Sequence, residues 1–261
     1  MNAARAAGRA VKARRAAAGT AHPEIVVPAL ASLPRTQLRA MVMAGAEVME
    51  CYRVLTKGGV NLVSEVLREQ GEFIEYEHYP KDDVYDSDTG AQYYYHAHRS
   101  GSGEHGHFHT FIRNPAAVLG KPPLSRGEID PDANGETSHL IAISMDAYGF
   151  PIGLFATNRW VTGESWYGAA DAIALLERFR IDHAYPSWPV NRWLGAMLVL
   201  FRPQVEALIK HRDAVVETWM KSREAEAVFE DRALEITGYV PISVEDTLEE
   251  VRASAGKQQR A

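Results

Sequence analysis

The chain has 261 residues, of which 46% are hydrophobic and 24% charged, and its formal net charge is −6. This is the composition of an ordinary globular protein that is long enough to bury a sizeable core. The acidic balance argues against nucleic acid as a partner. The longest apolar runs are far shorter than the ~20 residues that cross a bilayer, so we expect no membrane partner.

The single cysteine, Cys51, excludes a disulfide framework and a cysteine-based zinc site. A lone thiol is compatible with a reducing compartment, and we expect a cytoplasmic protein.

The first 34 residues are predicted to form a flexible segment. Residues 1–20 are basic and contain no acidic side chain, and they lack the apolar run of a secretory signal. Pro23, Pro28 and Pro34 then break regular structure. The hydrophobic residues of 38–55 recur at three- and four-residue steps, which predicts a long helix.

Five of the ten histidines lie between residues 93 and 111. Aromatic, strand-prone flanks surround a centre rich in Gly and Ser, which predicts a β-hairpin. Because side chains alternate between the two faces of a strand, His96 and His98 share one face, and so do His107 and His109. If His98 lies opposite His107, all four imidazoles share one face of the hairpin.

These four histidines, His96, His98, His107 and His109, are predicted to hold one transition-metal ion. Neutral imidazole suits Fe, Cu and Zn, so the metal is one of these. Glu104 lies between the pairs and is the predicted catalytic residue, as a general base, or else a further ligand. A slip of one residue would separate the pairs. An exposed polar strand and a tract that captures metal adventitiously are the alternatives.

Two strand-like runs follow, 139–146 and 152–161. His139 is either a fifth ligand or a hydrogen-bonded core histidine. Asn158 and Arg159 are polar groups in an apolar strand, and we expect them to bind substrate, since arginine suits a carboxylate or phosphate. A structural salt bridge is the alternative for Arg159.

The C-terminal third is predicted to be helical. The run 193–201 is apolar nearly all round, which indicates a buried helix. His211 lies among charged residues and is expected to face solvent. Ser243 and Asp246 resemble a capping box that starts a last helix. Residues 253–261 are predicted to be a disordered tail.

The whole pattern predicts an α+β fold. A central antiparallel β-sheet, barrel or sandwich-like, bears the histidines, and N-terminal and C-terminal helical layers cover it. We expect residues 35–252 to form a single metal-binding domain.

The hairpin locally resembles two metalloenzyme families. His96-Ala-His98 and the following Gly101-Ser-Gly-Glu104-His105 resemble the α-type carbonic anhydrases, in which His-x-His and a histidine on the antiparallel neighbour hold zinc. The same pair, with Glu104 and a later histidine, resembles the first motif of the cupins, which are small β-barrels that hold Fe, Mn, Zn or Cu. Both resemblances are confined to the hairpin. Carbonic anhydrases are mostly β-sheet, whereas the C-terminal third of this chain is predicted to be helical. For the cupins, Ala156 stands where their second motif has a histidine.

The expected function is that of a metal-dependent enzyme with a mononuclear histidine site, oxygenase-type or hydrolytic, that acts on a small-molecule substrate. Such chemistry requires an open coordination position beside the imidazoles, whereas a closed four-histidine site favours metal binding without chemistry. The alternative is a non-catalytic copper or zinc carrier, sensor or structural site, loaded by a metal donor. The sequence leaves the metal, the substrate and the oligomeric state open.

Overall fold

The computed structural model describes residues 23–98, 103–127 and 135–260. The strands are β1 (Tyr79–Tyr85), β2 (Ala91–His96), β3 (Gly106–Arg113), β4 (Thr137–Met145), β5 (Pro151–Thr157) and β6 (Ile236–Pro241). The helices are α1 (Arg35–Lys57), α2 (Leu62–Leu67), α3 (Pro115–Leu119), α4 (Arg159–Thr162), α5 (Ala169–Leu175), α6 (Trp188–Leu200), α7 (Arg202–Met220), α8 (Ala225–Phe229) and α9 (Val244–Arg260). Single 3-10 turns occupy Leu30–Ser32 and Leu176–Arg178.

The six strands form one antiparallel sheet in which each strand pairs with the next in sequence order. The sheet is not closed into a barrel, and the described residues contain no second sheet that would make a sandwich. The α+β prediction is therefore confirmed, while its barrel or sandwich form is wrong. Helices bury one face of the sheet, and β3 is buried on both faces, since all of its residues are buried.

The helical layer packs on the face of the sheet that carries Tyr93 and Phe108. Trp193 of α6 lies 5.9 Å from the Phe108 ring and 6.4 Å from the ring of Tyr52 in α1. The Tyr93 hydroxyl donates to Asn191 Oδ1 at 2.6 Å. The N-terminal and C-terminal helices thus share one layer, and the predicted buried helix is confirmed in α6. The histidines lie on the opposite face of the sheet.

The last helix starts as predicted but ends later. Ser243 Oγ accepts a hydrogen bond from the Asp246 backbone N–H at 3.2 Å, which confirms the cap. Helix α9 continues through Arg260, so the prediction of a disordered tail is wrong for residues 253–260. The reason is tertiary packing: Leu248 and Val251 are buried in the main core, which stabilises a helix of polar composition.

The segment before α1 packs on the body of the protein. Leu30 and Leu33 are buried, and Gln258 Nε2 of α9 donates to the Leu33 carbonyl at 3.0 Å. Residues 23–34 therefore contribute to the core, where the sequence predicts a flexible segment. The basic stretch 1–20 lies outside the described residues.

Candidate metal centre

The register of the β2–β3 hairpin decides which histidines meet. His96 lies directly opposite His107, and Tyr94 lies opposite His109. The register differs by two residues from one in which His98 would lie opposite His107. Because side chains repeat with a period of two, this shift leaves the histidines on one face and changes only their neighbours. His98 follows the end of β2 and borders the pair from there.

Three histidines form a group that could hold a metal ion. One ring nitrogen from each of His96, His98 and His107 lies within 4.8 Å of the other two. The Nε2 atoms of His96 and His107 are 2.7 Å apart. Two imidazole nitrogens on a tetrahedral zinc ion lie roughly 3.3 Å apart. The Nε2 atoms of His96 and His107 would therefore have to separate by about half an ångström, through rotation of their rings, to bind one ion.

Glu104 lies against the buried member of the group. Its Oε1 is 2.6 Å from His107 Nδ1, and its side chain is 6% exposed. This contact is possible because β3 begins only at Gly106, so the loop before the strand can bend the carboxylate toward the histidine face. A carboxylate on Nδ1 fixes the ring so that Nε2 binds the metal, which is a common pattern in metal sites.

His109 lies one step deeper along β3. Its ring centroid is 4.9 Å from that of His107, and its Nδ1 is 2.9 Å from His139 Nε2. The three-histidine group does not include it, so its role as a fourth ligand stays a prediction. His139 is fully buried, and burial, with Arg212 nearby, lowers its pKa to about 3. His139 is therefore a neutral, hydrogen-bonded core histidine.

His78 is a neighbour of the group that the spacing of residues in the sequence does not predict. Its ring stacks on Tyr94 at 3.5 Å between centroids and stands edge-on to His96 at 5.7 Å. Its Nδ1 is 3.1 Å from Asp83 Oδ1. His78 precedes β1 on the far side of a strand pairing, so no local pattern could have joined it to the hairpin.

His105 lies away from the group, although strand alternation would place it on the same face. Its Nδ1 is 2.7 Å from the Tyr95 hydroxyl, and its ring stacks on Phe73 at 5.5 Å. Alternation does not apply because His105 precedes the first residue of β3.

Aromatic rings surround the histidines on their face of the sheet. Tyr94 lies 5.3 Å from His96 between ring centroids, and Phe155 lies 5.1 Å from His107. Phe111 is 6.2 Å from His109. The group therefore sits in an apolar setting that strengthens electrostatic interactions.

Asn158 and Arg159 have structural contacts. Asn158 caps α4 by accepting from the Arg159 N–H at 2.9 Å, and its Nδ2 donates to the Val228 carbonyl at 2.8 Å. Arg159 pairs with Glu230 and lies 3.8 Å from Glu226. These contacts fit the alternative of a structural salt bridge and give no support to substrate binding.

Glu164 is a buried carboxyl group behind the histidine face. Its Oε2 accepts from the His139 backbone N–H at 2.7 Å, and the side chain is fully buried. Burial raises the pKa of Glu164 to about 7. Nothing in its sequence context distinguished it from the surface acids.

We expect Glu164→Gln to make stability less dependent on pH. The native carboxyl holds its proton more tightly than the unfolded chain, whose pKa is about 4.3, so its contribution is full at low pH and is lost as pH rises through 7. Glutamine keeps the acceptor without the charge. At pH 8 the free energy of unfolding of the variant should be larger than that of the wild type by up to about 3 kcal/mol. Urea unfolding from about pH 4.5 to 8 measures it. Parallel pH curves for the two proteins would contradict this.

The described part of the chain contains no helix with the length and apolar character of a membrane span. No curated protein and no solved structure matches the sequence. A family model does match, over residues 42–242. This region holds all six strands and every histidine of the group. The chain therefore belongs to the family described as a domain of unknown function, DUF6969.

Proposed function

We propose that this protein is a metal-dependent enzyme with a mononuclear centre formed by His96, His98 and His107. The observation that carries the proposal is the convergence of their nitrogens within 4.8 Å. Three imidazoles are the ligand set of open zinc sites, in which a further position takes water or substrate. A metal there would polarise a small-molecule substrate or activate water or O₂, which fits hydrolytic or oxygenase-type chemistry.

Glu104 has the part of a positioning residue in this proposal. By accepting from His107 Nδ1, it directs the other ring nitrogen of His107 toward the group. The carboxylate also makes the imidazole a stronger ligand. Glu104 contacts His107, which is a proposed metal ligand. We therefore propose that Glu104 acts through His107 and not as a general base.

His109 decides between the enzyme and a non-catalytic metal protein. His139 engages its Nδ1 as Glu104 engages that of His107, so its Nε2 is the nitrogen suited to a metal. If a metal draws in His109 as a fourth ligand, the site is closed. The protein would then be a copper or zinc carrier, sensor or structural site that a metal donor loads.

The chemistry of the group leaves Fe, Cu and Zn as the candidate metals, since imidazole suits all three. The apolar rings around it favour a small substrate with few polar groups. A free, buried Cys51 is consistent with the cytoplasmic location that we propose.

Metal analysis tests the proposal directly. Purified protein, reconstituted separately with Fe²⁺, Cu²⁺ and Zn²⁺, should retain one of these ions at one per chain after desalting. X-ray absorption should then count three imidazole nitrogens and at least one exchangeable ligand. Four nitrogens without an exchangeable ligand would favour the carrier, and failure to retain any of the three metals would contradict both functions.

We expect Glu104→Gln to weaken metal affinity by roughly 10–100-fold, the usual cost of changing a partner behind a metal ligand. The amide can still accept from His107 but lacks the charge. Affinity would be measured by competition with a chromophoric chelator. Glu136→Gln is the matched control, since Glu136 binds Ser165 and Arg126. An unchanged metal affinity would show that Glu104 does not support the site. Complete loss of the metal would show that Glu104 is itself a ligand.

A further inference from the structure

One row of residues crosses the sheet at the level of the metal group. His96 lies opposite His107, His107 opposite Ser144, and Ser144 opposite Gly153. Directly opposite residues point to the same face, with Cβ atoms about 4.5–5.5 Å apart. Ser144 of β4 therefore stands beside His107 on the histidine face.

The Ser144 hydroxyl is one of several buried hydroxyl groups in the strands of the sheet. The residue is fully buried, and among the described residues Oγ has no hydrogen-bond partner. A buried hydroxyl without a partner is unfavourable, and native proteins pair the large majority of such groups. A ligand at the adjoining histidines would supply the missing partner.

The position beyond Ser144 keeps the row polar. A Cβ at Gly153 would lie only 2.0 Å from the Tyr239 hydroxyl oxygen, so the phenol lies directly over this glycine. That hydroxyl donates to the Ile152 carbonyl at 3.3 Å. The side of His107 away from His96 therefore carries two hydroxyl groups in place of apolar side chains.

The next row on the same face is different. Tyr94 lies opposite His109, His109 opposite Ala142, and Ala142 opposite Phe155. The row continues to Tyr239, which lies opposite Phe155, so apart from His109 it consists of Ala142, Phe155 and two tyrosine rings. The small polar groups are concentrated in the row that holds two members of the metal group.

We propose that Ser144 Oγ hydrogen-bonds a small ligand that occupies the open coordination position of the metal. This inference rests on the proposed function, because it requires a metal held by His96, His98 and His107. The ligand class is a compact anion or neutral molecule with an oxygen or nitrogen atom that can bind the metal and accept from the hydroxyl. Ser144 thereby selects ligands with a second polar atom over purely apolar ones.

The test uses the full chain loaded with Co²⁺, whose visible absorption reports its ligands, and azide as the probe. The wild type should bind one Co²⁺ per chain, and azide should change the spectrum. Ser144→Ala should retain Co²⁺ and bind azide roughly tenfold or more weakly, the effect of losing one hydrogen bond to a charged group.

Ser138→Ala is the matched control. Ser138 lies in the same strand, is fully buried, and its Oγ also has no partner among the described residues. It lies opposite Ile112, on the face that the helices cover. Its replacement should leave azide affinity at the wild-type value.

Each other outcome overturns the inference in a recognisable way. Equal azide affinity in Ser144→Ala and wild type means that the hydroxyl does not contact the ligand. Loss of Co²⁺ in Ser144→Ala alone means that the hydroxyl supports the histidines. A wild type that binds Co²⁺ without any response to azide has a closed site, which favours the carrier. A wild type that does not bind Co²⁺ contradicts the proposed function itself.

Discussion

His107→Ala is expected to abolish stoichiometric metal binding. His107 is the fully buried member of the group, and its two ring nitrogens contact His96 Nε2 and Glu104 Oε1. Its loss removes one of three ligands and the contact of the Glu104 carboxylate with the His107 ring. Affinity should fall by more than the roughly 100-fold that changes behind a ligand can cost. Equilibrium dialysis with Zn²⁺ measures the effect.

The same site should release its metal in acid. Imidazole binds a metal only without its second proton, so protons and metal compete for the ring nitrogens. The free side chain takes up a proton near pH 6.5, and retention should therefore fall between about pH 7 and pH 5. An affinity for Zn²⁺ that is as high at about pH 5 as at pH 7 would contradict histidine ligation.

Two further variants separate loss of a ligand from loss of the fold. His98 is half-buried and follows the end of β2, so His98→Ala should remove metal while the melting temperature changes little. His105 lies in the same hairpin but contacts Tyr95 and not the group, so the His105→Ala variant should keep the metal. If His107→Ala and His98→Ala both retain metal at wild-type affinity, the group is not the site.

The alternation of side chains in the hairpin could be predicted from sequence, whereas its register could not. Because side chains alternate with a period of two, His96, His107 and His109 share one face in the observed register and in any register shifted from it by an even number of residues. The spacing across the strands depends on where each strand ends. Here β2 ends at His96, so His98 meets the group from beyond the strand.

Contacts between distant segments account for the other differences. Arg159 is paired by Glu230, about 70 residues later in the chain, and no local pattern announces that partner. His211 was expected to face solvent from its charged neighbours, yet it is buried and its Nε2 bonds to the Pro23 carbonyl. Helical periodicity identifies a buried stripe well but does not show which segment will cover the remaining faces.

Trp193→Ala is expected to destabilise the protein by about 3–5 kcal/mol, the range for a large aromatic side chain removed from a core. Trp193 is fully buried, and its ring packs between Tyr52 of α1 and Phe108 of β3. Alanine would leave a cavity between the helical layer and the sheet. Urea unfolding monitored by circular dichroism measures the free energy of unfolding.

Trp188→Ala is the matched control for this change, because Trp188 begins the same helix and is 42% exposed. Its ring contacts Arg192 at 5.4 Å, a cation–π pair that contributes about 0.5–1 kcal/mol at an exposed site. A cost below about 1 kcal/mol for Trp193→Ala would contradict its place in the core.

The same substitution also tests how the helical layer supports the metal group. Phe108 stands between His107 and His109 in β3 but points to the other face, against Trp193. A cavity behind Phe108 lets this part of β3 shift, and the two histidines shift with it. Trp193→Ala should therefore weaken Zn²⁺ binding even at temperatures where it remains folded, whereas Trp188→Ala should not. Unchanged Zn²⁺ affinity in folded Trp193→Ala would show that the hairpin holds the histidines without help from the helices.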